Sequence, residues 1–341
     1  MIVTLTGALK NVGDFLIAER ARALLARFVD AEQRILPRHR PLDDQLDLVN
    51  RARAVLFCGG PAPAADPYPR IYPPTEPPER VSAPPVGFGL GWSGKPFRRP
   101  QDFRFSERSP SLLRRFHDGG RVASVRDEIS LEVLRRAGHP EAVMTGCPVW
   151  YDLESLGRPY RHAPEVRRLV FTTPASLRLT RPTLAVMRLL ARRYPRAERI
   201  CAFHRGIRPG NGTSWRQGTG YLAWAAAAAT LGYRVRDVSH DTARIAFYAD
   251  CDLHVGFRVH AHLYFLSKRL ASFLINEDGR GAGMAASLEQ PGLDHDDPAL
   301  VERLDAQLTE HESGGGRAVA TAVAAIEHHW PTMRRFLAGL A

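Results

Sequence analysis

Lysine is nearly absent from this 341-residue chain. It occurs only at Lys10, Lys95 and Lys268, so almost all of the 47 basic side chains are arginine. The net charge is +11. Guanidinium forks match carboxylate and phosphate better than point-charge ammonium groups do, although a GC-rich coding sequence would give the same bias. The arginines alternate with acidic residues, with no basic tail and no aromatic–basic platform, which argues against nucleic-acid binding. Cysteine is also scarce. Cys58, Cys147, Cys201 and Cys251 form no CxxC pair, so a reduced, cytoplasmic setting is expected. No apolar run reaches the roughly 18 residues that a membrane span needs. The alanine-rich run at 223–229 reads as a buried helix. The N-terminus shows no basic region ahead of an apolar stretch, so no secretion signal is expected. No metal-ligand spacing is apparent, and no metal is expected.

What is present is a repeated alternation of strand and helix. "MIVTLTGALKNVGD" is a β-prone run ending in a Gly/Asn loop, followed by an amphipathic helix over about 15–28. "RARAVLFCGGP" and "PVGFGLGW" are short strands closed by glycines. The proline-rich residues 61–85 between them form a long loop, a candidate lid. "RVASVRDEISLEVLRRAG" is a strand running into a helix that Asp127 or Ser124 caps and Gly138 ends. "AVMTGCPVW" adds another strand. A polar Pro/Gly segment at 151–165 then separates a second block. It has strands in "RRLVFTTPA", "ERICAFHRG", "YRVRDVS", "CDLHVGF" and "LASFLIN". Its helices are expected over 182–193, 221–232, 241–248 and 259–267, with a last one at about 317–340. The pattern predicts two α/β domains with mostly parallel sheets, residues 1–155 and 156–341, and a ligand cleft between them.

Candidate sites therefore lie in loops that follow strands. "GLGWSG" at 89–94 fits G-x-G-x-x-G, but no amphipathic helix begins at its third glycine, so dinucleotide binding is not expected. In "GALKNVGD", Asp14 either caps the following helix or faces a ligand. Arg126 stands between a strand and a helix N-terminus, where it either reaches an anion or pairs with Asp127 or Glu128. His204, Arg205 and Arg208 occupy a post-strand loop suited to anions. The richest segment is "DLHVGFRVHAHLYFLSK". With a helix starting at Val259, residues 258 and 262 share a face and residue 260 points away, so His260 and His262 cannot form an intrahelical metal pair. Arg258, ahead of the helix, can still converge with His260 on one carboxylate or phosphate. His254 and His262 read as buried, hydrogen-bonded packing residues.

The ordered set "NVGDFLI", "CGG", "SVRDEIS", "TGCP", "GFRVHAHL" and "INEDGR", spanning about 11–280, resembles the polysaccharide pyruvyl transferase family. The resemblance implies a two-domain, glycosyltransferase-B-like fold. It implies phosphoenolpyruvate as donor, a pyruvyl ketal across two sugar hydroxyls as product, and phosphate as leaving group. Arg258, Val259 and His260 would occupy the family's R-x-H motif, in which the middle residue is usually leucine. They would contact the donor together with Arg126 from the other domain, and Arg280 would fill a basic position after the next strand. His204 joins the donor side, and His260 is the expected catalytic group, serving as acid/base or hydrogen-bonding the phosphate. Asn11, Asp14, Gly59 and Gly60 form the acceptor-side loop of the first domain. The expected partners are phosphoenolpyruvate and a sugar or glycan, with peripheral contact to lipid-linked glycans at most and no cofactor. The proline-rich insertion and His262 depart from the family pattern. Two alternatives stand beside this reading. One is a nucleotide-sugar glycosyltransferase of the same fold, with Glu277 or Asp278 holding a ribose. The other is a non-catalytic binding member of the family.

Overall fold

A computed structural model describes residues 1–60, 80–92, 100–105 and 109–341. Most of the proline-rich 61–85 segment and the end of the 89–94 glycine motif lie outside the described residues.

The first half runs β1 (Ile2–Thr6), α1 (Val12–Phe28), β2 (Gln33–Pro37), α2 (Leu46–Asn50), β3 (Ala54–Cys58), β4 (Pro85–Phe88), α3 (Ser109–Arg115), β5 (Ser124–Val125), α4 (Glu128–Arg136) and β6 (Val143–Met144). Four strands pair in parallel in the order β2-β1-β3-β4. A Leu90–Val125 bridge leads on to the parallel β5-β6 pair. β1 and β3 are buried along their whole length, β3 as an unbroken apolar run and β1 with only the small Thr4 and Thr6 among its apolar residues.

The second half runs β7 (Arg168–Thr172), α5 (Thr180–Arg193), β8 (Glu198–Phe203), α6 (Trp215–Thr230), β9 (Tyr233–Asp237), a 3₁₀ segment (Thr242–Asp250), β10 (Leu253–Gly256), α7 (Val259–Ser267), β11 (Ala271–Asn276), α8 (Gly279–Ser287), β12 (Leu293–Asp294), α9 (Leu300–Ser313) and α10 (Arg317–Ala338). Its six parallel strands lie in the order β9-β8-β7-β10-β11-β12, a doubly wound sheet with its switch point between β7 and β10. In the first half the corresponding switch lies between β1 and β3. Crevices at such points receive ligands, because neighbouring crossovers leave in opposite directions.

Several elements differ from the sequence reading. Asp14 does not cap α1. The helix begins three residues earlier than expected, with Asn11 at the cap and Asp14 in its first turn, where an acidic side chain suits the helix N-terminus. α6 starts at Trp215, six residues early, on a capping box in which Ser214 and Gln217 each hold the other's backbone amide. β2, α2, α3, α8, α9 and β12 were not foreseen. α10 starts beside α9 and ends on the first half, where the Phe336 ring lies 5.4 Å from Phe88 and Trp330 meets Phe28 at 5.5 Å. No described helix is long and apolar enough to cross a membrane.

Beneath β10 and α7, one hydroxyl organises two buried imidazoles. Ser272 Oγ lies 2.7 Å from His254 Nδ1 and 2.8 Å from His262 Nδ1, and His254 Nε2 reaches Thr172 Oγ1 at 2.8 Å. Ser272→Ala would strand both ring nitrogens away from water. Urea denaturation should show a loss of about 2–4 kcal/mol, whereas an unchanged midpoint would mean the network contributes nothing.

Candidate active site

The two switch points face each other, and loop backbone joins them. The Val12 amide donates to the His204 carbonyl at 3.0 Å, and the His240 amide donates to the Lys10 carbonyl at 2.8 Å. Lys10, 6% exposed, spends its ammonium on the Arg208 and Gly210 carbonyls and Thr213 Oγ1, at 2.6, 2.8 and 3.1 Å. On the far side of the seam, the Glu128 amide at the start of α4 donates to Ser287 Oγ at the end of α8, at 2.9 Å.

Arg258 is the N-cap residue of α7. Its Nη2 donates to the Pro174 carbonyl at 2.9 Å, and its amide meets Thr172 Oγ1 at 3.3 Å. The residue thus bridges the two strands of the switch point, and its buried Nε has no partner. Val259 begins α7 and packs against the core. His260 lies one residue further on and is buried. Gly13, in the first turn of α1, rests directly on its ring. A Cβ at Gly13 would stand 2.6 Å from His260 Nδ1, so the close approach of the two halves depends on glycine there. The other ring nitrogen, Nε2, is buried without a partner.

Around this imidazole lie three arginines. Burial first, then the charges of Arg126, Arg280 and Arg258, hold the His260 pKa well below its usual value. Arg126, 1% exposed, comes from the first half between β5 and α4. Its Nε pairs with Asp127 at 3.3 Å, while Nη2 is buried and unpartnered. Gly91 leaves room for it, since a Cβ there would overlap the guanidinium. Asp127 is the cap of α4, accepting the Ser130 amide at 2.7 Å. The sequence left open whether Arg126 pairs with Asp127 or faces an anion; the geometry permits both, through different nitrogens. Arg280 opens α8 and is held by Asp278, with Nε–Oδ1 2.9 Å and Nη2–Oδ2 2.6 Å. Burial opposes its charge, but Asp278, Glu277 and Asp14 outweigh burial and raise its pKa.

Asp14 therefore acts on Arg280 from the opposite half, and Asn11 Nδ2 donates to its carboxylate at 3.1 Å. Asn11 Oδ1 is buried and unpartnered. Gly59 and Gly60 follow β3 with φ of 61° and 76°. The guanidinium of Arg38, which follows β2, lies against Gly7 and Gly60. His204 sits behind Arg258. Its Nε2 meets Tyr248 OH at 2.8 Å, and burial, then Arg258, His254 and His260, keep it neutral at ordinary pH. Arg205 and Arg208 do not join the cluster through a hydrogen bond; their loop receives Lys10 instead. Lys10 and Arg38 were missed from sequence. The rarity of lysine was a usable signal for the first.

The chain sequence matches the family model described as polysaccharide pyruvyl transferase over residues 11–229, well over half its length. The chain belongs to the polysaccharide pyruvyl transferase family. The matched region of this family member includes Asn11, Asp14, Arg126 and His204, and ends before Arg258 and His260. No curated protein matches the chain. Among solved structures, S. aureus MnaA with UDP is similar at TM-score 0.57, with 8% identity over 97% of both chains. Anabaena Alr3699/HepE in complex with UDP and glucose gives 0.56, with 11% identity over 99% of this chain and 98% of that one. UDP-GlcNAc 2-epimerase from Neisseria meningitidis, bound to UDP-GlcNAc, gives 0.55, with 9% identity over 97% and 99%. At such identities the likeness is one of fold. It establishes for this pyruvyl transferase family member the glycosyltransferase-B-like arrangement of two Rossmann-like halves.

Four histidines here resist protonation. Burial lowers His204, His254 and His260 well below 6.5, and His262 to about 3. Below about pH 6.5 the unfolded chain takes up protons that the folded chain refuses, so stability falls as pH falls. Each such group contributes roughly 1.4 kcal/mol per pH unit in that window. Urea midpoints should drop steeply between about pH 7 and pH 5; a flat profile would mean these rings are not held neutral.

Proposed function

We propose that the protein transfers the pyruvyl group of phosphoenolpyruvate onto two hydroxyls of a sugar or glycan, releasing phosphate. The observation that carries the reading is the convergence of Arg126, Arg258 and Arg280 on one buried imidazole, with unfilled donors at Arg126 Nη2 and Arg258 Nε and an unpartnered ring nitrogen at His260 Nε2. Unsatisfied buried donors are costly, and a ligand carrying both carboxylate and phosphate would fill several at once. The donor lies against the second half, at the β7/β10 switch point, with Arg126 reaching over from the first. The acceptor enters along the first half, between the Asn11–Asp14 turn and Gly59–Gly60.

The donor's charge changes His260. In the free protein the imidazole is neutral. A polyanion placed among the arginines offsets their repulsion and raises its pKa, so that it can carry a proton. His260 then acts as general acid, delivering a proton to the methylene carbon. The first sugar hydroxyl bonds to the neighbouring carbon and loses its proton to Asp14. The second hydroxyl bonds to the same carbon as the bond from that carbon to the phosphate oxygen breaks, and its proton passes to the departing phosphate. The products are a methyl-bearing ketal and inorganic phosphate, and the sum balances without a redox cofactor or metal. A donor of central metabolism places the reaction in the cytoplasm, on a free or lipid-linked glycan.

The nucleotide-sugar alternative needs a free carboxylate for the ribose. Glu277 is already occupied by the Ala175 and Ser176 amides at 3.0–3.2 Å, and Asp278 by Arg280 and the cap of α8. Both lie in the place where that reading requires a vacant acceptor.

Thermal unfolding with phosphoenolpyruvate or UDP-sugars separates the readings, because a ligand of the folded state raises the melting temperature. Phosphoenolpyruvate should stabilise the wild type, and Arg258→Ala should abolish the shift. Stabilisation by UDP-sugars alone contradicts the proposal. With an acceptor glycan, His260→Ala should slow phosphate release by about a hundredfold or more.

A further inference from the structure

A second cluster of chemistry-bearing side chains lies away from the cleft. His117 ends the turn that follows α3, and His139 and Glu141 lie in the turn between α4 and β6. The two imidazoles stack with centroids 4.9 Å apart and planes 14° from parallel. Both Nδ1 atoms face one carboxylate oxygen, Glu141 Oε1, at 3.1 Å from His117 and 3.6 Å from His139. One ligand atom from each residue can be chosen so that all three lie within 4.8 Å of one another.

A tetrahedral zinc ion with bonds of about 2.0–2.1 Å separates its ligand atoms by about 3.3–3.4 Å. The two nitrogen–oxygen distances straddle that edge. The imidazoles are 7% and 8% exposed, whereas Glu141 is 38% exposed, which leaves a fourth direction open to water. The His117–Glu141 contact is also not a hydrogen bond: His117 Nδ1 is buried and has no hydrogen-bond partner despite an oxygen at 3.1 Å. The carboxylate oxygen therefore lies close to His117 Nδ1 but off its in-plane axis, as a neighbouring ligand of a shared ion would. Two imidazole nitrogens and one carboxylate oxygen form a borderline donor set, better suited to zinc than to calcium or magnesium.

We propose that His117, His139 and Glu141 bind one zinc ion, which ties the turn after α3 to the end of α4. The site stands at the C-terminal end of α4, a nine-residue helix about 14 Å long. At its other end are the Asp127 cap and Arg126. The ion would anchor, from the far side, the helix that presents an active-site arginine. The proposal does not depend on the identity of the donor substrate. The sequence reading expected no metal because the ligands are brought together by tertiary structure, with His117 22 residues ahead of His139.

The test uses the full chain, stripped with chelator, equilibrated with zinc alone and passed through a desalting column. The wild type should retain one zinc per chain and melt several degrees higher than the stripped protein. Glu141→Gln changes an exposed side chain and should keep the fold while weakening zinc binding about tenfold or more. His139→Ala should lose the ion. Failure of the wild type to retain zinc, or equal retention by Glu141→Gln and His139→Ala, overturns the proposal.

Discussion

Three guanidinium groups set around one buried imidazole repel one another, and each is held in place against that repulsion by a contact of its own. Arg126 leans on Asp127 and Arg280 on Asp278, while Arg258 ties its Nη2 to the Pro174 carbonyl. The imidazole contributes by staying neutral. Each arginine is held by part of its fork, and for Arg126 and Arg258 a further nitrogen is left without a partner. A charge partner that satisfied the whole fork would stabilise the empty protein and close the site to an anion. Partial pairing holds the residues in place and keeps the electrostatic demand alive.

That arrangement needs two halves held at a fixed distance, since Arg126 and Asp14 come from one and Arg258, His260 and Arg280 from the other. Lys10 locks one side of the seam with its three acceptors, and the Glu128–Ser287 hydrogen bond closes the other. α10 returns across the back to pack Phe336 and Trp330 on first-half aromatics. Gly13 and Gly91 then admit the imidazole and the guanidinium where any side chain would collide. Fold and chemistry meet at these contacts.

Much of this was legible in the sequence, for a physical reason. Strands buried on both faces of a parallel sheet are predominantly apolar, with few polar residues, so β1, β3, β7, β10 and β11 announce themselves. The R-x-H after β10 stood out because polar groups at the end of a buried strand need a purpose. β2 was illegible because it is an edge strand with Arg34 and Ile35 exposed, and so carries no apolar alternation. α8, rich in glycine, is helical through packing on β11 and α4 rather than by propensity. α9 did carry a signal, with Leu300, Leu304 and Leu308 at helical spacing. Long-range partners were hidden altogether. Nothing near Lys10 reveals that its acceptors lie some 200 residues away, nor does His117 point to His139.

The central claim is that a polyanionic donor settles among Arg126, Arg258 and Arg280 and thereby charges His260. Calorimetry of phosphoenolpyruvate binding at about pH 8, repeated in buffers of different ionisation enthalpy, reads the protons exchanged. Uptake approaching one proton per site in the wild type, and none in His260→Gln, is the predicted result. Binding whose heat is independent of the buffer, or uptake that persists in His260→Gln, would contradict it.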